Sequence, residues 1–466
     1  MPELAASPTS VDRLPFSRRI GWAIGDTGIN LYWGMIGTFL FFFYTEVMKI
    51  PPHWAGIAFA LASVWDGVTD PVMGALADRT RTRFGRFRPW ILCLSIPSGV
   101  AFVMLFWTPP LTGGWLIAYA IASHILFRTL ITGVVVPFSA MSASITTDSK
   151  VRSSLAALRM IFAGIGGITV AFSVPRIIES VSDPQLAYFL AAAGMAVVAT
   201  IVLLIAFASS RELPVLTQKV LPKSEQSILE SVLADAKAFW GMLLVNGPLA
   251  RIFLAVILSS IMVTMYSKAL LYWVKYDYGD SSVLGWLLPV SGLVVVFASP
   301  LWAFVAGLTT KRAVFLAGAF LSILAISLFY ITNPREPGLL LALSMVGAFG
   351  ASAKFVMFWS MLPDTVEYHA WKTGDQSDAK IFGFATLGQK VALAVNAALF
   401  GYLLTLIGYV PDTPPTEGTK SAIFAIMCLI PIAGSIISAA FIWGYPIDTK
   451  FHARIKQDIR ERLEAV

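Results

Sequence analysis

SVWDGVTDPVMGALADRTRTRFGRFRPW, residues 63–90, begins as an apolar segment of membrane-spanning type. It ends in a loop with five arginines, Arg79, Arg81, Arg83, Arg86 and Arg88. Two carboxylates, Asp66 and Asp70, interrupt the apolar part. A spacing of four places both on one face of a helix. A charge in hydrocarbon costs at least about 2.5–3.5 kcal/mol, so an ionisable group kept at that depth marks a functional site. Two like charges that close do not both stay ionised in a dry site. Either a cation sits between them or they share a proton, and both readings describe a coupling site. Bracing of helix ends through hydrogen bonds is the plainer alternative. Pro71 has no N–H to give, which frees backbone carbonyls as further ligands.

The 466 residues are 57% hydrophobic and only 13% charged. A soluble domain carries about a quarter charged residues. The chain is therefore expected to cross a membrane many times, and its long, non-alternating apolar runs read as helices rather than barrel strands. Twelve segments reach spanning length, near 19–46, 53–78, 89–108, 114–146, 154–180, 186–209, 248–276, 282–308, 312–332, 338–363, 379–409 and 420–445. Loops 79–88, 147–152 (Lys150, Arg152) and 309–312 (Lys311, Arg312) are basic, and the loops between them are neutral or acidic. By the positive-inside rule both termini are cytoplasmic, and the protein belongs in the plasma (inner) membrane. Residues 1–18 hold no apolar core of signal-peptide type. The net charge of +7 is topology information rather than a sign of a nucleic-acid partner. A hydrophilic gap at 210–247, a cytoplasmic middle loop, divides two six-helix bundles at 19–209 and 248–445, and a tail follows at 446–466. Two such halves around a central cavity are a common plan of membrane carriers. The tail FHARIKQDIRERLEAV reads as an amphipathic helix, solvated or lying on the membrane surface. Cys93 and Cys428 lie in apolar runs and read as packed thiols.

Further ionisable residues fall within the expected spans: His124 and Arg128 one turn apart, then Arg159, Lys268, Lys354 and Lys390. Lys268 lies near a helix end, where its ammonium is expected to snorkel to the interface. Lys390 is central in TLGQKVALAVNAAL, too deep to snorkel, and reads as functional. His124 alone reads as a packed histidine. One turn from an arginine it is a candidate for proton relay or substrate contact. The first span, GWAIGDTGINLYWG, offers Asn30 to a cavity, while Gly21, Gly25 and Gly28 permit close helix approach. Asp78, Arg79 and Arg86 in the arginine loop suit a gate latch as well as positive-inside anchoring. No Walker lysine motif, nucleophile elbow, HExxH or CxxC pair occurs. Nothing points to ATP use, catalysis or a cofactor, which leaves an ion gradient as the energy source.

WDGVTDPVMGALADRTRTRFGRFRPWIL resembles the signature of the glycoside–pentoside–hexuronide:cation symporters, the melibiose-permease group of the major facilitator superfamily. GDTGIN followed by FFFYTEV resembles that family's first helix. PDTVEYHAWKTG resembles its tenth-to-eleventh loop, and LGQKVALAVNAALFGYLLTLIGYVP its eleventh helix and following turn. The resemblance covers both halves and implies an all-α major facilitator fold that works as a monomer. It implies that Asp66, Asp70 and the hydroxyl of Thr132 form the cation site, with the two carboxylates as metal ligands only if Na⁺ is the coupling ion. It places Lys390 and Arg159 at the substrate. Thr69 falls where sodium-using relatives can have an asparagine, which makes H⁺ at least as good a candidate as Na⁺.

Departures from the family pattern shape the substrate expectation. Two carboxylate positions that serve sugar hydroxyls hold Asn30 and Val135, an aromatic position holds Ser139, and Phe355 keeps the tenth-helix aromatic beside Lys354. Negative charge is lost while Arg128 and Lys354 are gained, and a charge in a dry cavity needs a partner. The resemblance thus implies import of an acidic glycoside or hexuronide, held by Arg159, Lys390, Arg128 or Lys354. The alternatives are a lysophospholipid carrier of the same superfamily, in which Lys390 holds a phosphate headgroup, and a non-transporting membrane sensor.

Overall fold

The structure is a computed structural model that describes residues 14–142, 144–146, 148–212, 228–374 and 378–464. Helices make up the described chain: α1 (Phe16–Ala23), α2 (Gly25–Met35), α3 (Pro52–Arg79), α4 (Arg88–Leu105), α5 (Gly114–Met141), α6 (Ser149–Ser180), α7 (Pro184–Ser209), α8 (Ile228–Val245), α9 (Gly247–Val263), α10 (Met265–Trp273), α11 (Leu284–Leu308), α12 (Lys311–Thr332), α13 (Pro337–Thr373), α14 (Asp378–Leu406), α15 (Glu417–Trp443) and α16 (Thr449–Glu464). Wider π turns continue α2 through Ile36–Leu40 and Phe43–Val47, and α10 through Val274–Tyr278. Among the described residues, ten helical stretches are long and apolar enough to cross a membrane. The stretches over Phe16–Val47 and Pro52–Arg79 coincide with the first two expected spans but are not among the ten. Both carry more polar residues, Asp26 and Asn30 in one and Asp66 and Asp70 in the other. Prolines lie inside α3, α4, α5, α6, α11, α13 and α15, and each removes one helical hydrogen bond.

The chain divides into two compact units. The first holds residues up to Phe43 together with Val64–Glu225, and the second holds Tyr44–Ser63 with Gln226–Val466. In the first, α2 lies against α6 and α7, and α4 against α5 and α7. Small residues let the helices close up, as expected: a Cβ on Gly21 would meet Ser209 at 2.2 Å, and one on Gly28 the Ala199 carbonyl at 2.9 Å.

In the second unit α12 packs on α13 and α15, and α9 on α14 and α15. Residues 44–63 join it through specific contacts rather than by chain order. Thr45 Oγ1 and Tyr272 Oη are 2.5 Å apart, Glu46 pairs with Lys275, and a Cβ on Gly401 would fall 2.2 Å from the Pro52 carbonyl.

Four expectations need correction here. The middle gap contains a helix, α8, which packs on α9 and α14, while residues 213–227 of that gap lie outside the described residues, as do 1–13 of the amino terminus. PDTVEYHAWKTG is the last part of α13 rather than a loop, and Gly374 ends the helix at φ +78°. The tail helix α16 is docked rather than solvated. Its Ile455 is buried, Phe451 meets Trp371 edge-on, Trp371 Nε1 donates to Asp458 Oδ2 (2.8 Å) and Arg462 donates to the Trp371 carbonyl (2.7 Å). Apolar residues at positions 451 and 455, one turn apart, form the stripe that makes this docking favourable. Cys93 is exposed, and only Cys428 is a packed thiol.

Candidate functional site

In the first unit the arginines and carboxylates of the membrane segments assemble into two clusters. The first is built on α3 and α5. Asp66 is 1% exposed and accepts from Arg128 Nη1 at 2.5 Å. Arg128 also donates from Nε to His124 Nε2 (3.4 Å), which makes that nitrogen the acceptor, and its guanidinium lies 4.5 Å over the Trp33 ring. One turn along α3, half-buried Asp70 accepts from Thr132 Oγ1 at 3.1 Å. The two carboxylates therefore differ. Asp66 has an arginine as its counter-charge, and Asp70 has a hydroxyl. The premise of two bare like charges gives way to a cluster in which Arg128 pairs with Asp66. Arg128 is committed to this cluster rather than offered free to a substrate. Thr69 turns its hydroxyl back onto its own helix, donating to the Trp65 carbonyl at 3.0 Å. The carbonyl of Gly67 lies four residues before Pro71 and loses its helical donor.

The second cluster joins α1, α2, α5 and α6. Arg159 makes a bidentate pair with Asp26, Nε to Oδ2 at 2.6 Å and Nη2 to Oδ1 at 3.2 Å, and Nη2 reaches Ser139 Oγ at 3.4 Å. Its guanidinium lies 5.5 Å from Trp22 and 5.2 Å from Phe138, whose rings stack at 5.0 Å. Asn30 donates from Nδ2 to the Asp26 backbone carbonyl (2.8 Å). Asp26 is visible in GWAIGDTGINLYWG but is given no role by the sequence alone. The signal was present, since a carboxylate one turn before Asn30 in a membrane segment obeys the rule applied to Asp66. The first helix thus keeps a carboxylate one turn before Asn30.

In the second unit the lysines stand differently. Lys268, expected to snorkel, is 7% exposed and donates to Asn396 Oδ1 at 2.5 Å, while Asn396 Nδ2 donates to the Ile261 carbonyl. An amide beside the ammonium removes the need to reach water. Lys354 is 5% exposed and donates to Ser435 Oγ at 3.1 Å. With Phe355, Gln389, Ser259, Ser260 and Thr264 it lines a cavity of about 220 Å³. Lys390 is half-buried on α14. A larger cavity of about 290 Å³ shares Val263 and Ala351 with the first and is mostly aliphatic, with Tyr266, Ser291 and Ser344 as polar points.

The arginine loop folds on itself. Arg86 pairs with Asp78 at 2.6 Å, and Arg79 is exposed. Glu212, just after α7, was not foreseen. Its carboxylate accepts the backbone N–H groups of Arg86 (2.8 Å), Phe87 (2.7 Å) and Arg88 (3.1 Å), the open donors at the start of α4. Gly85 turns beneath it at φ +107°. On the second unit, Lys311 is held by both oxygens of Asp364, at 2.8 and 2.7 Å, and Glu367 binds His452 and Lys456 of the tail.

Residues 21–449 match the family model described as MFS/sugar transport protein. The chain belongs to that family. Its relatives extend over nearly its whole length. The putative glycoside/cation symporter YagG of Escherichia coli is 29% identical over 90% of this chain and 89% of its own. The glucuronide carrier protein homolog of Escherichia coli is 25% identical over 95% of each. The crystal structure of the nucleoside transporter NupG aligns with a TM-score of 0.65 over 92% of this chain and all of that one, at 15% identity, so the two share a fold. The membrane-spanning helices, the family match and the glycoside–pentoside–hexuronide symporter resemblance agree in describing an integral membrane transporter.

Proposed function

We propose that this transporter is a cation-coupled symporter that imports a sugar derivative, an acidic glycoside or hexuronide, by alternating access of two six-helix halves in the inner membrane, with both termini cytoplasmic. The observation that carries the reading is the difference between the two α3 carboxylates: buried Asp66 is paired with Arg128, and half-buried Asp70 accepts from the Thr132 hydroxyl. Asp70 is then the group that takes the coupling ion, with Thr132 Oγ1 and the freed Gly67 carbonyl as neutral oxygens nearby. Thr69 donates its hydroxyl to the Trp65 carbonyl and offers no amide where sodium-using relatives can have an asparagine, so H⁺ stands beside Na⁺ as the coupling ion.

The Asp26–Arg159 pair, with Asn30, Ser139 and the stacked Trp22 and Phe138, offers donors, acceptors and an apolar ring face. Those are the groups that recognise a sugar ring. The acidic character of the substrate rests on the lysines of the second unit, Lys354 and Lys390, and on the glucuronide carrier among the relatives. Neutralising Asp70 lowers the cost of closing around the substrate. Cation and solute each favour the same occluded state, so each raises the other's affinity.

The test is charge movement in proteoliposomes on adding a neutral glycoside, a hexuronide or a lysophospholipid, with and without sodium, at two pH values. Asp70→Asn should abolish gradient-driven accumulation, a loss of at least about 100-fold, while counterflow of solute persists. Intact accumulation in that variant would remove Asp70 from the coupling role.

A further inference from the structure

The cations on these helices are not equivalent, and buried Lys268 is held by the amide oxygen of Asn396. Arg128 faces Asp66, Arg159 faces Asp26, and Lys311 faces Asp364, each within 2.7 Å. Lys354 is buried as deeply as Arg128, yet among the described residues no carboxylate pairs with it, and its hydrogen bond goes to the neutral hydroxyl of Ser435. An ammonium has three N–H donors, and one bond leaves two for a ligand. Burying an ammonium without a counter-charge is expensive, which makes such a position favourable for an anion that can enter. Lys354 is one wall of the 220 Å³ cavity, which gives an anion space beside its ammonium. Its neighbours there, Ser259, Ser260, Thr264 and Gln389, are neutral hydrogen-bonding groups that add no competing charge, and Phe355 and Phe358 add apolar faces.

We infer that Lys354 is the anion subsite of this transporter, binding the carboxylate of a sugar acid, and that it sets the preference for acid over neutral glycosides. This rests on the sugar-symporter reading above, but it assigns the acid group to Lys354 and away from Arg159 and Arg128, whose charges Asp26 and Asp66 already match. Ser435, by holding the ammonium, is a positioning residue.

The experiment is binding to the intact, detergent-solubilised protein of methyl β-glucuronide and methyl β-glucoside, which differ in a carboxylate, measured by calorimetry. Lys354→Met should weaken the glucuronide by about 10- to 100-fold, as expected for loss of a charge-assisted hydrogen bond, and change the glucoside by less than about threefold. Lys354→Arg should recover most of the glucuronide affinity, which a merely structural lysine would not predict. Ser435→Ala should move the glucuronide alone, by a few-fold. Equal binding of both sugars in Lys354→Met and wild type overturns the subsite and leaves the symporter reading standing. Failure of the wild type to bind either sugar, with or without sodium and at two pH values, overturns both. A lysophosphatidylglycerol arm separates the two sources of an anion. If that lipid binds in a Lys354-dependent manner and the glucuronide does not, the sugar-acid assignment is wrong.

Discussion

Arg128 is what allows α3 to keep a carboxylate as deeply buried as Asp66. Removing one member of a buried ion pair strands the other and costs about 3–5 kcal/mol, whereas removing both together costs much less. Arg128→Ala should therefore lower thermal stability in detergent strongly, and Asp66→Asn combined with Arg128→Gln should restore most of it. A melt of the double variant as low as that of the single arginine variant would deny the pairing. The residue types of this cluster were legible in the sequence, because a charge in an apolar run is conspicuous. Their partners were not. Asp66 and Arg128 are 62 positions apart, and Asp26 and Arg159 are 133 apart. Only the packing of helices shows which charges cancel. The same blindness made Lys268 look like an interfacial lysine, when an asparagine 128 positions away keeps it inside.

At the level of elements, helix ends set the behaviour of the arginine loop. Glu212 caps α4 from the far end of α7 and fixes the short turn between α3 and α4. Glu212→Ala should lower stability by about 1–3 kcal/mol, the usual worth of charge-assisted hydrogen bonds. Gly85→Ala should also destabilise, for two reasons: its φ of +107° disfavours a side chain, and the new Cβ would lie 2.7 Å from the Glu212 carboxylate. Thermal melts of the two variants check this, and a Gly85→Ala protein as stable as the wild type would contradict it. The tail helix rests on its buried stripe. Ile455→Asp should release α16, so that limited proteolysis trims the tail while the membrane helices stay intact. Helix positions were largely readable from apolar length: among the described residues ten helical stretches are long and apolar enough to cross a membrane, and the two that carry Asp26, Asn30, Asp66 and Asp70 are not among them. What lay beyond the membrane was not readable that way. α8 and the last turns of α13 are too polar to register as spans, and the docking of α16 depends on surface residues of α13 that carry no periodic signal.

On the scale of the whole molecule, the proposed topology puts the Lys49–Asp412 pair outside and α16 inside. In a background lacking Cys93 and Cys428, Lys49→Cys should label with a membrane-impermeant thiol reagent added to intact cells. Arg454→Cys should label only in inverted vesicles. The opposite pattern would invert the topology. The docked tail has a practical consequence. α16 is gripped along its length by Phe451, Ile455, Asp458 and Arg462, so a helix grown in register from its end would leave the unit in one direction only. A rigid fiducial domain carried on such a mast would not swivel, and a 50.5 kDa protein otherwise hidden in its micelle would gain a landmark for single-particle imaging.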